Sequence, residues 1–119
     1  MRGLLKSFAY AIDGFLYAVR SQRNMRIHVF VAVCALLAGL LLQLHALEWG
    51  IIILCIGLVL SAECMNTALE ALVDLVSPER HELAKRAKDC AAAAVLVLAV
   101  MAVVVGLIVY VYAYLRLVA

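Results

Sequence analysis

Proline occurs once in this 119-residue chain, at position 78, and charged residues make up only 15% of it. A disordered chain needs more charge and less hydrophobicity than that. The four cysteines, Cys34, Cys55, Cys64 and Cys90, form no C-x-x-C pair. That spacing argues against a zinc site or a disulfide scaffold and leaves four small apolar residues in apolar runs. The net charge of +2 is too small to suggest a nucleic-acid partner. Neither a G-x-x-x-x-G-K-[ST] loop nor a kinase glycine loop is present. The first twenty residues mix Arg2, Lys6, Asp13 and Arg20 with apolar positions, unlike a secretory signal peptide.

What the chain has in abundance is hydrocarbon. Hydrophobic residues make up 69%, against about 45–50% in an ordinary soluble domain, and the mean hydropathy is +1.13. A chain this small has no interior large enough to hide that excess. The composition points to an integral membrane protein of one domain over residues 1–119, and the helical pattern along the chain makes the expected fold all-α.

Residues 2–20 carry helical periodicity. Leu4, Phe8, Ile12, Phe15 and Val19 form one stripe, and Lys6, Tyr10, Asp13, Tyr17 and Arg20 another. The pattern suits an amphipathic surface helix in the membrane interface; the alternative is a helix packed on a partner helix. Residues 27–44 are apolar except for His28 and Gln43 and are long enough to span a bilayer. After a tight connection, Trp49 stands as an interfacial anchor at the start of a second span over 49–76. Ser77 and Pro78 read as cap and first position of a third helix over 78–117, which carries no charge between residues 90 and 115. Nine of the ten basic residues flank the same ends of these spans, and only Arg116 lies at the other. The positive-inside rule assigns that basic side, with the N-terminus, to the cytoplasm.

Glu63, Asn66, Glu70 and Asp74 are spaced by three, four and four residues, so they share one face of the second membrane helix. A charged residue inside a span costs roughly 2.5 kcal/mol or more at the bilayer centre. Glu63 falls about 21 Å along the helix from Trp49, so the acids form a column descending from the cytoplasmic interface. Such a column can bind a divalent cation, carry protons or act as a general base. The plainer alternative is a polar clasp that fixes helix packing. Across from it, Arg80, Lys85, Arg86 and Lys88 are either topology-setting cations or a phosphate site. Acids for a metal beside cations for phosphates are what phosphoryl transfer requires. A small proton-coupled transporter is the competing class, but its carboxylates belong nearer the midplane.

The segment Glu63-Cys64-Met65-Asn66-Thr67-Ala68-Leu69-Glu70-Ala71-Leu72-Val73-Asp74 resembles the E-x-x-N-[ST]-A-x-E-x-x-x-D signature of the small prokaryotic diacylglycerol kinases. His81-Glu82-Leu83 and Arg86-Ala87-Lys88-Asp89 extend the likeness, and Arg23-Asn24-Met25-Arg26-Ile27-His28 is similar to the undecaprenol kinase branch. The resemblance implies a lipid kinase of the bacterial inner (plasma) membrane, with its active site on the cytoplasmic side. Undecaprenol is then the first-choice acceptor and diacylglycerol the second. It implies Glu63 as catalytic base, Glu70 as ligand of the Mg2+ on ATP, and Tyr10, Asn66, Asp74, Glu79, His81, Lys88 and Asp89 as further nucleotide-site positions. It also implies a homotrimer whose subunits share sites. One position departs from the pattern: Gln22 stands where the family carries a second metal-binding glutamate. Its neutral oxygen is a weaker ligand for a hard cation. The departure predicts weakened metal binding, compensation by another acid, or an inactive variant.

Overall fold

The computed structural model describes residues 1–119 as four helices and no strand: α1 (Arg2–Ser21), α2 (Arg23–Leu41), α3 (Ala46–Val76) and α4 (Glu82–Val118). The last three are long and apolar enough to cross a membrane. At 1.5 Å per residue α4 is about 55 Å long, and it sets the long dimension of the molecule, 59 Å.

A single residue separates α1 from α2. Gln22 is extended, with φ −113° and ψ 118°, and this one departure from helical backbone lets the chain change direction. Arg26 secures the corner: its guanidinium donates to the carbonyls of Val19 and Arg20 at 3.1 and 2.9 Å, two groups that the end of α1 leaves free. The helical backbone of α2 therefore begins at Arg23, four residues before the apolar run at 27.

The turn between α2 and α3 is a Schellman closure. Leu44 N–H donates to Gly39 O, and Gln43 N–H to Leu40 O. Gln43 occupies the left-handed region with φ 53°, a conformation that costs a non-glycine residue about 1–2 kcal/mol. Gly39 is required here for space: a Cβ on it would lie 2.7 Å from the Trp49 ring and 3.0 Å from Leu44. Trp49 thus packs against α2 in the first turn of α3.

The start of the last helix differs from the sequence expectation. Ser77 and Pro78 do not open α4; they belong to a connector, in which the Ser77 hydroxyl donates to Glu79 O at 3.1 Å. The cap is His81, whose Nδ1 accepts from Leu83 N–H at 3.0 Å. Two start signals lie within five residues, and the second satisfies the orphan amide.

α3 and α4 pack along their length, α2 lies on α3, and α1 touches both α2 and α3. Leu44, Ile52, Val109 and Ala113 form a small buried cluster at the Arg116 end. Most other large apolar side chains, such as Leu54, Val104 and Ile108, face outward. Such an exterior suits hydrocarbon and not water, and with the apolar spans it makes this a membrane protein.

Candidate active site

The acidic face of α3 is real and its members are sorted by depth. Glu63 is 1% exposed, Asn66 8% and Thr67 4%, whereas Asp74, near the end of the helix, is open to solvent. Thr67 Oγ1 donates to the Glu63 backbone carbonyl at 2.8 Å, which leaves the Glu63 carboxylate without that hydroxyl. Asn66 Nδ2 donates to Glu70 Oε1 at 3.2 Å, one turn along. Two acceptor atoms in this region are buried with no hydrogen-bond donor: Glu63 Oε1 and Asn66 Oδ1. Orphans of this kind are rare and point to strain or to a missing ligand.

The corner at Gln22 brings that side chain onto α3. Its Nε2 donates to Glu70 Oε2 at 2.8 Å, so Glu70 is held by an amide from each side. The sequence pair of Gln22 and Glu70, 48 residues apart, is joined in space. From α2, His28 Nε2 lies 3.2 Å from Glu63 Oε1. That is within ion-pair reach, though off the line of a hydrogen bond, since the oxygen has no donor.

One turn beyond Glu70 the column meets α4. Lys88 is paired with Asp74 across the two helices, and Lys85 with Asp89 along α4 at 2.6 Å. Around them opens a polar cleft of about 630 Å³, lined in part by Asp74, Glu79, His81, Lys85, Lys88 and Asp89. The expected nucleotide positions therefore divide. Asp74, Glu79, His81, Lys88 and Asp89 share the cleft, while Asn66 and Glu70 sit with Glu63 and Gln22. Tyr10, 70% exposed on α1, lines neither group. On the other side of Glu63 an apolar groove of about 340 Å³ runs between α2, α3 and α4, from His28 past Ile52 and Val59 to Tyr110.

His28 is a site neighbour that the sequence pattern does not single out. It is the one ionisable side chain other than Cys34 between residues 27 and 44, but nothing local says that it faces Glu63. No set of three or more His, Cys, Asp or Glu side chains converges as a metal cage. The donors that exist still fit a hard cation. The Glu70 carboxylate and the unpartnered Asn66 Oδ1 are oxygens on one helix face, and Mg2+ commonly takes one or two carboxylates plus substrate phosphates.

The descriptive profile of the prokaryotic diacylglycerol kinases matches residues 9–110. The chain belongs to that family. Within it, the diacylglycerol kinase of Synechocystis is 52% identical over 104 residues, which is 87% of this chain and 59% of that protein. The undecaprenol kinase of Bacillus subtilis is 44% identical over 105 residues, 88% of this chain and 85% of the relative. The diacylglycerol kinase of Pseudomonas aeruginosa is 37% identical over 94 residues, 79% and 76% of the two chains. This chain thus spans less than two thirds of its Synechocystis relative. The family match covers α3 entirely and α4 as far as residue 110, the two elements that carry the acidic column and the polar cleft.

Proposed function

We propose that this chain is an ATP-dependent kinase of a membrane lipid alcohol, with undecaprenol as acceptor and Glu63 as catalytic base. The observation that carries the reading is the carboxylate of Glu63. It is buried, its Oε1 has no donor, and along α3 it falls between Leu60, which lines the apolar groove, and Val73, which lines the polar cleft. A substrate with a hydrocarbon tail and a hydroxyl, and another with phosphates, approach such a position from opposite sides. The Bacillus relative's name favours undecaprenol; the Synechocystis relative's name favours diacylglycerol as the second reading.

In the proposed step the lipid hydroxyl oxygen bonds to the γ-phosphorus as the bond from that phosphorus to the β–γ bridging oxygen breaks. ADP leaves, and the hydroxyl proton passes to Glu63. Lys88 and Lys85 lie in the polar cleft to neutralise phosphate charge, while Asp74 and Asp89 hold those ammonium groups in place. His81 and Glu79 shape the mouth of the cleft from the connector. Mg2+, when bound, supplies charge neutralisation between the phosphates, and Glu70 with Asn66 Oδ1 is the donor set that would hold it. Gln22, as placed, turns an N–H toward Glu70, so the oxygen that a glutamate would offer is replaced by a donor.

We also propose that α1 lies in the membrane interface. Leu4, Phe8 and Ile12 on its apolar stripe are about three-fifths exposed (64%, 61% and 59%), as a surface that rests on lipid requires. The nine basic residues at the Glu63 end favour a cytoplasmic site in the bacterial inner membrane. A homotrimer would supply what one chain lacks: only 14 of 119 residues are buried, and Tyr10 is exposed and outside the polar cleft of its own chain. The deciding assay offers undecaprenol and a diacylglycerol side by side in mixed micelles, with labelled ATP and Mg2+. Label in undecaprenyl phosphate is the expected outcome. Label in phosphatidic acid alone selects the second reading, and label in neither overturns the kinase.

A further inference from the structure

We propose that His28 is a positioning residue for Glu63, an inference that rests on the kinase reading. Among the hydrogen bonds and ion pairs of the Glu63 neighbourhood, none but the His28 contact reaches its carboxylate. The Thr67 hydroxyl is committed to the backbone carbonyl, and the Asn66 amide to Glu70. The imidazole Nε2, 3.2 Å from Oε1, is the one group that can set the direction of this carboxylate. A buried carboxylate oxygen left without any donor is costly, and a small rotation of the ring closes the contact. Catalytic contacts are often loose before substrate arrives and tighten in the reacting complex.

The placement of His28 gives the contact a role beyond packing. The ring comes from α2, whereas Glu63 is on α3, so the pair ties the base to the neighbouring helix. It also lines one end of the apolar groove, whose remaining wall is aliphatic apart from Cys55 and Tyr110. A hydroxyl arriving along that groove meets imidazole and carboxylate together. With His28 holding Oε1, the other carboxylate oxygen is left to take the hydroxyl proton. His28 thus acts through Glu63 and contributes orientation, in which an error of 1 Å costs about a hundredfold in rate.

The test compares wild type with His28→Leu and His28→Gln in the mixed-micelle assay, measuring kcat and KM for ATP and helical content by circular dichroism. Leucine fills the space and suits an apolar helix but offers no donor; glutamine keeps an N–H near the position of Nε2. The expected result is a loss of about 10–100-fold in kcat for His28→Leu, with KM for ATP within about twofold, and recovery of most of that loss by His28→Gln. Wild-type kcat in His28→Leu overturns the role. So does a loss that glutamine fails to recover, or one accompanied by an equal rise in KM for ATP. If wild-type protein phosphorylates no lipid alcohol, the kinase reading itself fails and this inference with it. An active wild type with an indifferent His28 removes the inference alone.

Discussion

Two glutamates on α3, Glu48 in its first turn and Glu63 near its middle, are used in opposite ways. At one end Glu48 is closed on every side. Arg116 donates to both of its oxygens at 2.6 and 3.0 Å, the His45 amide donates at 2.8 Å, and Arg116 also reaches the Gln43 carbonyl at 3.2 Å. That network ties the last turn of α4 to the α2–α3 turn. Near the middle of α3, Glu63 is more deeply buried and yet has an oxygen with no donor. A fold that needed only a clasp would satisfy its carboxylate, as the Arg116 end does. The contrast favours a structural role for Glu48 and supports the catalytic role proposed for Glu63.

The largest break in that comparison comes from Glu63→Gln, which keeps shape and removes the proposed base. Turnover is expected to fall about 10²–10⁴-fold, while helical content and insertion stay at wild-type level. Loss of assembly with loss of turnover would instead make Glu63 a second clasp. Glu70→Gln is next. It removes the one carboxylate in the proposed cation set, and the Mg2+ concentration for half-maximal rate should rise about tenfold or more. A rate that falls with unchanged Mg2+ dependence would move the cation elsewhere.

Gln22 sharpens the comparison within the active end. Its amide donates to Glu70 and so satisfies an oxygen that a cation would otherwise claim. Gln22→Glu exchanges that donor for a second carboxylate, and two like charges side by side favour a bound cation. The expected outcome is a modest, several-fold fall in the Mg2+ requirement. It would be read both in the rate and in the Mg2+-dependence of nucleotide binding by the unreacted protein. Unchanged values in both would remove Gln22 from the cation site.

How far the sequence could go follows from the same residues. The acidic face was legible because it lies on one helix, where the 3.6-residue period alone fixes which side chains are neighbours. The apolar spans were legible because length and composition decide them. The partners were not: His28 with Glu63, Gln22 with Glu70, Lys88 with Asp74 and Arg116 with Glu48 all cross between helices. Each depends on the relative register of two helices, which no local pattern encodes. The start of α4 was misread for a different reason. Ser77-Pro78 and His81-Glu82 are both acceptable openings, and the choice fell to the one whose side chain reaches a free amide.

Glu48→Gln has the smallest expected effect on activity and is the control that gives the others meaning. The amide keeps one acceptor for Arg116 but loses the charge and the second, so the clasp between the end of α4 and the α2–α3 turn loosens. Because Gln43 in that turn sits in the left-handed region, it has conformational strain to release once Arg116 no longer holds its carbonyl. The unfolding temperature is therefore expected to drop by a few degrees, with kcat and the Mg2+ requirement unchanged. Arg116→Leu should give the same result, since it opens the same network from the other side. A fall in kcat at full structural integrity in either variant would mean that the two ends are coupled through α3, and the division between a structural and a chemical glutamate would no longer hold.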